Sequence, residues 1–157
     1  MMLEKIMQTS NLLAGRVHLP RPLVFTNGVF DILHRGHVQY LHEARQMGSS
    51  LFVGLNSDTS ARLLGKGPNR PLNNELDRAT VLAGLTSVSA IGFFDEQTPL
   101  TIIRLLKPDI YVKGGDYDVD TLAEGALVKS WGGRAHALSF VSGFSTTDLV
   151  DRIRSGQ

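Results

Sequence analysis

Two histidines three residues apart, His34 and His37, flank Gly36 directly after the turn Asn27-Gly28-Val29-Phe30-Asp31. At the mouth of a helix, free amide groups and the helix dipole attract anions, and imidazoles add directed donors to phosphate oxygens. A glycine at position 28 lets backbone come close to such a phosphate. The same spacing fits two ligands of a metal with Asp31 as the third, which is the second reading. The glycine turn and the later loops fit phosphate better, and Asp31 is read as a structural residue bonding turn amides.

Three further loops carry residues of matching chemistry. Between Asn56 and Leu72 the segment Gly65-Lys66-Gly67-Pro68-Asn69-Arg70-Pro71 sets a lysine and an arginine in a mobile Gly/Pro stretch suited to closing over a phosphate. Lys113-Gly114-Gly115-Asp116-Tyr117 places a glycine pair where a base or ribose lies against bare backbone. Ser145-Thr146-Thr147 opens the last helix with hydroxyl and amide donors, a second anion site. Arg78, on the helix after the lysine loop, is a lesser candidate for binding substrate, since a surface ion pair explains it equally well.

These loops need a scaffold, and the apolar pattern supplies one. Runs at Leu23 to Thr26, Leu51 to Leu55, Ala90 to Phe94, Ile110 to Val112 and Ala135 to Phe140 alternate with helical segments. That order predicts an α/β fold, a single Rossmann-like domain with a five-stranded parallel sheet flanked by helices. Ligands then bind beyond the carboxyl ends of the strands, where all four loops fall. Helices are expected over His37 to Met47, with Gly48 as a left-handed cap, and over Asn74 to Leu85. Others start at Thr98-Pro99 and at Ser145, where Asp148 completes a capping box. Residues 1–22 read as an N-terminal extension ahead of the first strand.

The 157 residues are enough to bury roughly 70% of the unfolded surface in one core. A net charge of +1 leaves no footprint for nucleic acid, and the absence of cysteine excludes disulfides, zinc thiolates and a thiol nucleophile. No apolar stretch is long enough for a membrane span or signal peptide, so the expected location is cytoplasmic.

Asn27 to Asp31 with His34-Arg35-Gly36-His37 resembles the signature of the His-x-Gly-His nucleotidyltransferase superfamily, and Ser145-Thr146-Thr147 resembles its second signature. From about Leu23 to Ile153 the chain resembles the adenylyltransferase half of bifunctional ADP-heptose synthases. The detailed matches are Val53 to Asp58, the Gly-Pro-Asn-Arg-Pro loop, Phe94 to Pro99 and Lys113 to Tyr117. The resemblance makes residues 23–157 the nucleotidyltransferase domain. It implies that ATP and D-glycero-D-manno-heptose 1-phosphate give ADP-heptose and pyrophosphate, a step toward the lipopolysaccharide core of Gram-negative bacteria.

On that reading His34, His37, Lys66 and Ser145 are catalytic. Asn27, Gly28, Val29, Phe30, Gly36, Lys113, Gly114, Gly115, Asp116, Thr146 and Thr147 hold the nucleotide, and Arg70 and Arg78 touch the substrate. Mg2+ is carried mainly by the ATP phosphates with no direct protein ligand, and related enzymes commonly form homodimers. Glycerol-3-phosphate cytidylyltransferases share the histidine corner and the Ser-Thr-Thr helix but tend to carry Arg-Thr-Glu-Gly before it. Here that stretch reads Val141-Ser142-Gly143, which weakens the cytidylyltransferase alternative. A nucleotide-binding module without chemistry is the third, and the intact histidines, lysine and hydroxyls argue against it.

Overall fold

The five apolar runs become β1 Leu23–Gly28, β2 Ser50–Asn56, β3 Ala90–Phe94, β4 Ile110–Gly114 and β5 Arg134–Leu138 in a computed structural model that describes residues 2–156. They form one sheet in the order β3-β2-β1-β4-β5 with every neighbouring pair parallel. Parallel strands need crossovers, and helices supply them on both faces. The crossover helices are α2 Arg35–Gln46, α3 Asp58–Leu63, α4 Glu75–Ala83, α5 Leu100–Leu106 and α6 Ala123–Lys129, while α1 Thr9–Leu13 precedes the sheet and α7 Thr146–Ser155 follows it.

Because side chains alternate across a strand, each strand feeds two cores. Val24, Leu51, Val53, Leu55 and Val112 pack on one face against Tyr40, Leu41 and Ala44 of α2 and Ala79, Leu82 and Ala83 of α4. On the other face Phe25, Phe52 and Tyr111 meet Ile102, Ile103 and Leu106 of α5 and Val128 of α6. Phe25 stacks on Phe52 at 5.9 Å and on Tyr111 at 6.4 Å, so one aromatic row crosses three strands. Each such fully buried side chain stabilises the fold by about 1.5–3 kcal/mol. The strand order reverses between β1 and β4, and that reversal opens a crevice at their carboxyl ends.

Several element ends differ from the sequence reading for physical reasons. β5 stops at Leu138, the partner of Gly114 at the end of β4, so Phe140 has no strand beside it and its ring lies 58% exposed. α2 begins at Arg35 with His34 as N-cap, two residues ahead of expectation. Gly48 is not left-handed. It is required because a Cβ there would stand 2.5 Å from the Pro22 carbonyl oxygen. α5 starts at Leu100 with Pro99 at the cap, leaving Thr98 outside. At α7 the Ser145 side chain accepts the Asp148 N–H at 3.2 Å, which is the Ser145 half of the expected box. α3 stands inside the expected loop, started by Ser57, whose Oγ accepts the Ser60 N–H at 3.1 Å.

The first part of residues 2–22 lies along the β3 side of the sheet, and the last part crosses to the starts of β2 and β4, where Arg21 donates to the Leu106 and Lys107 carbonyls and pairs with Asp109. Ile6 bridges Ile91, the Met7 N–H donates to the Ile91 carbonyl at 2.8 Å, and Leu12 enters the core. This contact covers part of an otherwise open sheet edge.

Candidate active site

A cleft of about 620 Å³ opens at the carboxyl ends of β1, β2 and β4, within the size range of small-molecule sites. It collects Asn27, Gly28, Val29, Phe30, His34, His37, Lys66, Arg70, Lys113, Gly114, Ser145, Thr146 and Thr147 from the residues singled out by sequence. Gly36, Arg78, Gly115 and Asp116 are not on its wall.

The histidine corner is a packed unit. His34 caps α2 and His37 sits three residues on, so the His34 backbone N–H donates to His37 Nδ1 at 3.3 Å and the imidazoles stack at 3.9 Å. Gly36 permits this fold-over, since a Cβ would meet His34 Cε1 at 2.9 Å. Phe30 holds the rare left-handed conformation at φ 50° and sets its ring edge-on to His37 at 5.4 Å. The same ring fills the space a Gly28 side chain would need, at 2.9 Å. Gly28 therefore admits the Phe30 ring.

Burial lowers the His34 pKa. For His37 burial comes first, then the charges of His34 and Lys66, and together they pull its pKa down to about 4. Both rings are thus neutral at pH 7. Since His37 Nδ1 accepts, its proton sits on Nε2, where it is a donor. His34 Nδ1 is buried without a hydrogen-bond partner among the described residues.

Facing this corner is the start of α7. Thr146 Oγ1 donates to the Ile32 carbonyl at 3.1 Å, and Phe144 stacks on His34 at 6.2 Å, which ties the two helix openings together. Two helix N-termini and neutral imidazole donors converging on one space make a site for a charge-dense anion.

The Lys66 loop has a firm base and an open tip. Asp31 accepts the N–H groups of Leu72 at 2.7 Å and Asn73 at 2.8 Å, and Arg70 pairs with it at 3.6 Å. Its acceptors therefore serve the far end of the Lys66 loop rather than its own turn, and they are not free for a metal. Gly65 and Gly67 take φ of 69° and 108° with open space around them.

Arg78 is no surface charge. It is 2% exposed, and its guanidinium donates to the carbonyls of Asn73, Val29 and Asn56 and to Asp58 Oδ1 at 2.7–3.0 Å. Every branch of the fork is engaged in holding three loops together, which explains why it does not reach the cleft.

Sequence reasoning missed Tyr40, Asn56, Gln97, Glu124, Phe140 and Phe144 on the cleft wall. Phe140 and Phe144 lie close to the hydroxyl helix start, a signal that could have found them. Glu124, on α6, carried none. Lys113 lies 5.3 Å over the Tyr117 ring, and burial lowers its pKa while Glu124 opposes that shift. Among the described residues no group of three or more His, Cys, Asp or Glu is placed to hold a metal ion, and none of their helices is long and apolar enough to cross a membrane.

Residues 25–151 match the family model described as cytidylyltransferase-like. The chain belongs to that family. The family match takes in the histidine corner, the Lys66 loop and the opening of α7, so the cleft is built from family segments throughout. Among curated relatives, a Bordetella bronchiseptica protein named D-beta-D-heptose 1-phosphate adenylyltransferase is 62% identical over 91% of this chain and 87% of its own. The bifunctional protein HldE of Syntrophotalea carbinolica is 52% identical over 85% of this chain, which spans 27% of that longer protein. A solved lipopolysaccharide core biosynthesis protein from Thermoplasma volcanium superposes with a TM-score of 0.63 at 29% identity, covering 76% of this chain and 95% of that one. Pantothenate synthetase from Thermus thermophilus shares the fold, with a TM-score of 0.60 at 16% identity over 92% of this chain and 67% of that one.

Proposed function

We propose that this protein is an adenylyltransferase that joins ATP to D-glycero-D-manno-heptose 1-phosphate, giving ADP-heptose and pyrophosphate for lipopolysaccharide core synthesis. The observation that carries the reading is the 62% identity, over nearly the full length of both chains, to a protein bearing that activity in its name. The cleft supports it with two helix openings facing one anion-sized space.

The attacking sugar phosphate oxygen is already anionic, so the reaction needs neither a general base nor a covalent intermediate. Positioning and charge stabilisation remain. His34 and His37 donate to phosphate oxygens of the nucleotide, the amides and hydroxyls at the start of α7 bind further phosphate oxygens, and Lys66 closes from the mobile loop. Attack in line on the α-phosphorus expels pyrophosphate. His37 enters as a neutral donor through Nε2–H, and that hydrogen bond strengthens as charge gathers on the phosphate. The cleft offers hydrogen-bond donors in place of a carboxylate cage, which fits Mg2+ carried by the triphosphate. That ion would neutralise phosphate charge.

The test is pyrophosphate release with magnesium, crossing ATP, CTP, GTP and UTP against heptose 1-phosphate and glycerol 3-phosphate. Turnover confined to ATP with heptose 1-phosphate is the expected result. Turnover with CTP and glycerol 3-phosphate would overturn the pathway, and ATP binding with no pyrophosphate from any pair would overturn the activity.

A further inference from the structure

The cleft crosses the end of the sheet, and its two sides differ in chemistry. On the α2 face stand the histidines and the α7 opening, all donors. On the opposite face Tyr111 and Lys113, alternate residues of β4, point the same way toward α5 and α6. Glu124, in the first turn of α6, reaches the cleft wall from that side.

Glu124 is only 8% exposed, and its carboxylate forms no hydrogen bond or ion pair among the described residues. Its oxygens are not among the buried polar atoms left without a partner, so they open into the cleft, where an acceptor that no protein group engages is available to an occupant. Lys113 and Tyr111 feel its charge, yet neither bonds it. Favouring the dipole of α6 would explain an acid in the first turn, but an exposed acid would do that as well. An ionised carboxylate only accepts, so phosphate is excluded and the occupant must present N–H or O–H groups. Two oxygens side by side match two adjacent hydroxyls, the arrangement by which acidic residues hold ribose in dinucleotide sites. Neutral Asn27, Gln97 and Tyr117 share the cleft wall with it.

We propose that Glu124 binds a vicinal hydroxyl pair of a sugar ring, either the ribose of the nucleotide or the ring of the sugar phosphate. The proposal rests on the transferase reading for the presence of those two rings. A charged hydrogen bond contributes about 1.5–3 kcal/mol, so its loss weakens binding by roughly 10- to 100-fold.

The full chain and Glu124→Gln are compared by calorimetric dissociation constants, without turnover, for ATP, 2′-deoxy-ATP, 3′-deoxy-ATP and heptose 1-phosphate with its ring-deoxy analogues. The expected result is a 10- to 100-fold loss for one of the two ligands. Removing a hydroxyl from that ligand should cost the native protein the same factor and the variant nothing further. Loss on ATP assigns the ribose, and loss on the sugar phosphate assigns the other ring. Both constants within twofold of native, or equal sensitivity of native and variant to the missing hydroxyl, would overturn the proposal. Should the variant unfold, the deoxy analogues on the native protein decide: if none binds more than twofold weaker than its parent, no hydroxyl pair is held. These constants need no catalysis, so a transferase reading that failed on pyrophosphate release would leave this result readable by itself.

Discussion

His37 accepts the backbone N–H of His34 at 3.3 Å while the two imidazoles stack at 3.9 Å, so each histidine sets the position of the other. The contact fixes the His37 proton on Nε2, and Phe30, held at φ 50°, braces the ring edge-on. A donor held this way needs little reorganisation when charge develops on a phosphate.

His37→Ala should therefore lower kcat by about a hundredfold, as removal of one transition-state donor does elsewhere. The dissociation constant of ATP should change far less, since many other donors bind the ground state. Steady-state kinetics beside calorimetry checks this, and near-normal kcat would remove His37 from the mechanism.

The acid limb of stability should also report on His37. Its folded pKa of about 4 lies below the ordinary 6.5, so the unfolded chain binds a proton that the folded chain refuses. Between those two values stability falls as pH falls, and above 6.5 the contribution is fully present. Discounted for solvent screening, the loss is on the order of 2 kcal/mol. Urea unfolding at pH 7 and pH 4.5 should show a shallower decline for His37→Gln than for the native protein. Equal declines would mean that the ring is already protonated in the fold.

The histidine corner was legible because its parts lie within one short stretch of chain, where glycine and histidine spacing speaks directly of a turn and a helix opening. β3 was likewise read with its observed limits, Ala90–Phe94, since an apolar run flanked by Ser89 and Asp95 marks its own ends. Other features depend on partners distant in sequence. Phe140 continues an apolar run yet has no strand to pair with, because β4 has already ended. Gly48 looked like a helix cap, whereas the Pro22 carbonyl beside it is what forbids a side chain. Arg78 looked like a surface charge because its acceptors at Val29 and Asn56 stand 49 and 22 residues away. Glu124 is invisible in a helix of ordinary composition until the sheet places it beside Lys113.

Asp31 should control the Lys66 loop without touching substrate phosphate. Asp31→Ala strips the acceptors from Leu72 and Asn73 and releases Arg70, so the loop loses its base while the glycines at 65 and 67 stay open. The expected outcome is faster proteolytic cleavage near Lys66 and a drop in kcat/KM of roughly tenfold, in line with about 1.4 kcal/mol of lost positioning. Asp31→Asn, which keeps a side-chain oxygen to accept one amide, should recover part of both. Unchanged cleavage in Asp31→Ala would show that the loop is held by other contacts.

Arg78 makes the opposite case, a cation whose removal should damage the fold before the chemistry. Its enclosed fork joins the carbonyls of Val29 and Asn56 to Asp58 and to Asn73, so the ends of β1 and β2 and the starts of α3 and α4 share one side chain. Arg78→Met leaves those acceptors buried without donors, and breaking a buried pair from one side costs about 3–5 kcal/mol. For a chain of this size that is a fall of roughly 10 °C in the unfolding midpoint. Arg78→Lys should fall nearly as far, because an ammonium cannot spread over four acceptors arranged for a planar fork. Calorimetric scans check the midpoints, and kcat per folded molecule at low temperature separates the two roles. A midpoint within about 2 °C of native, together with a large loss of kcat, would place Arg78 in substrate binding after all.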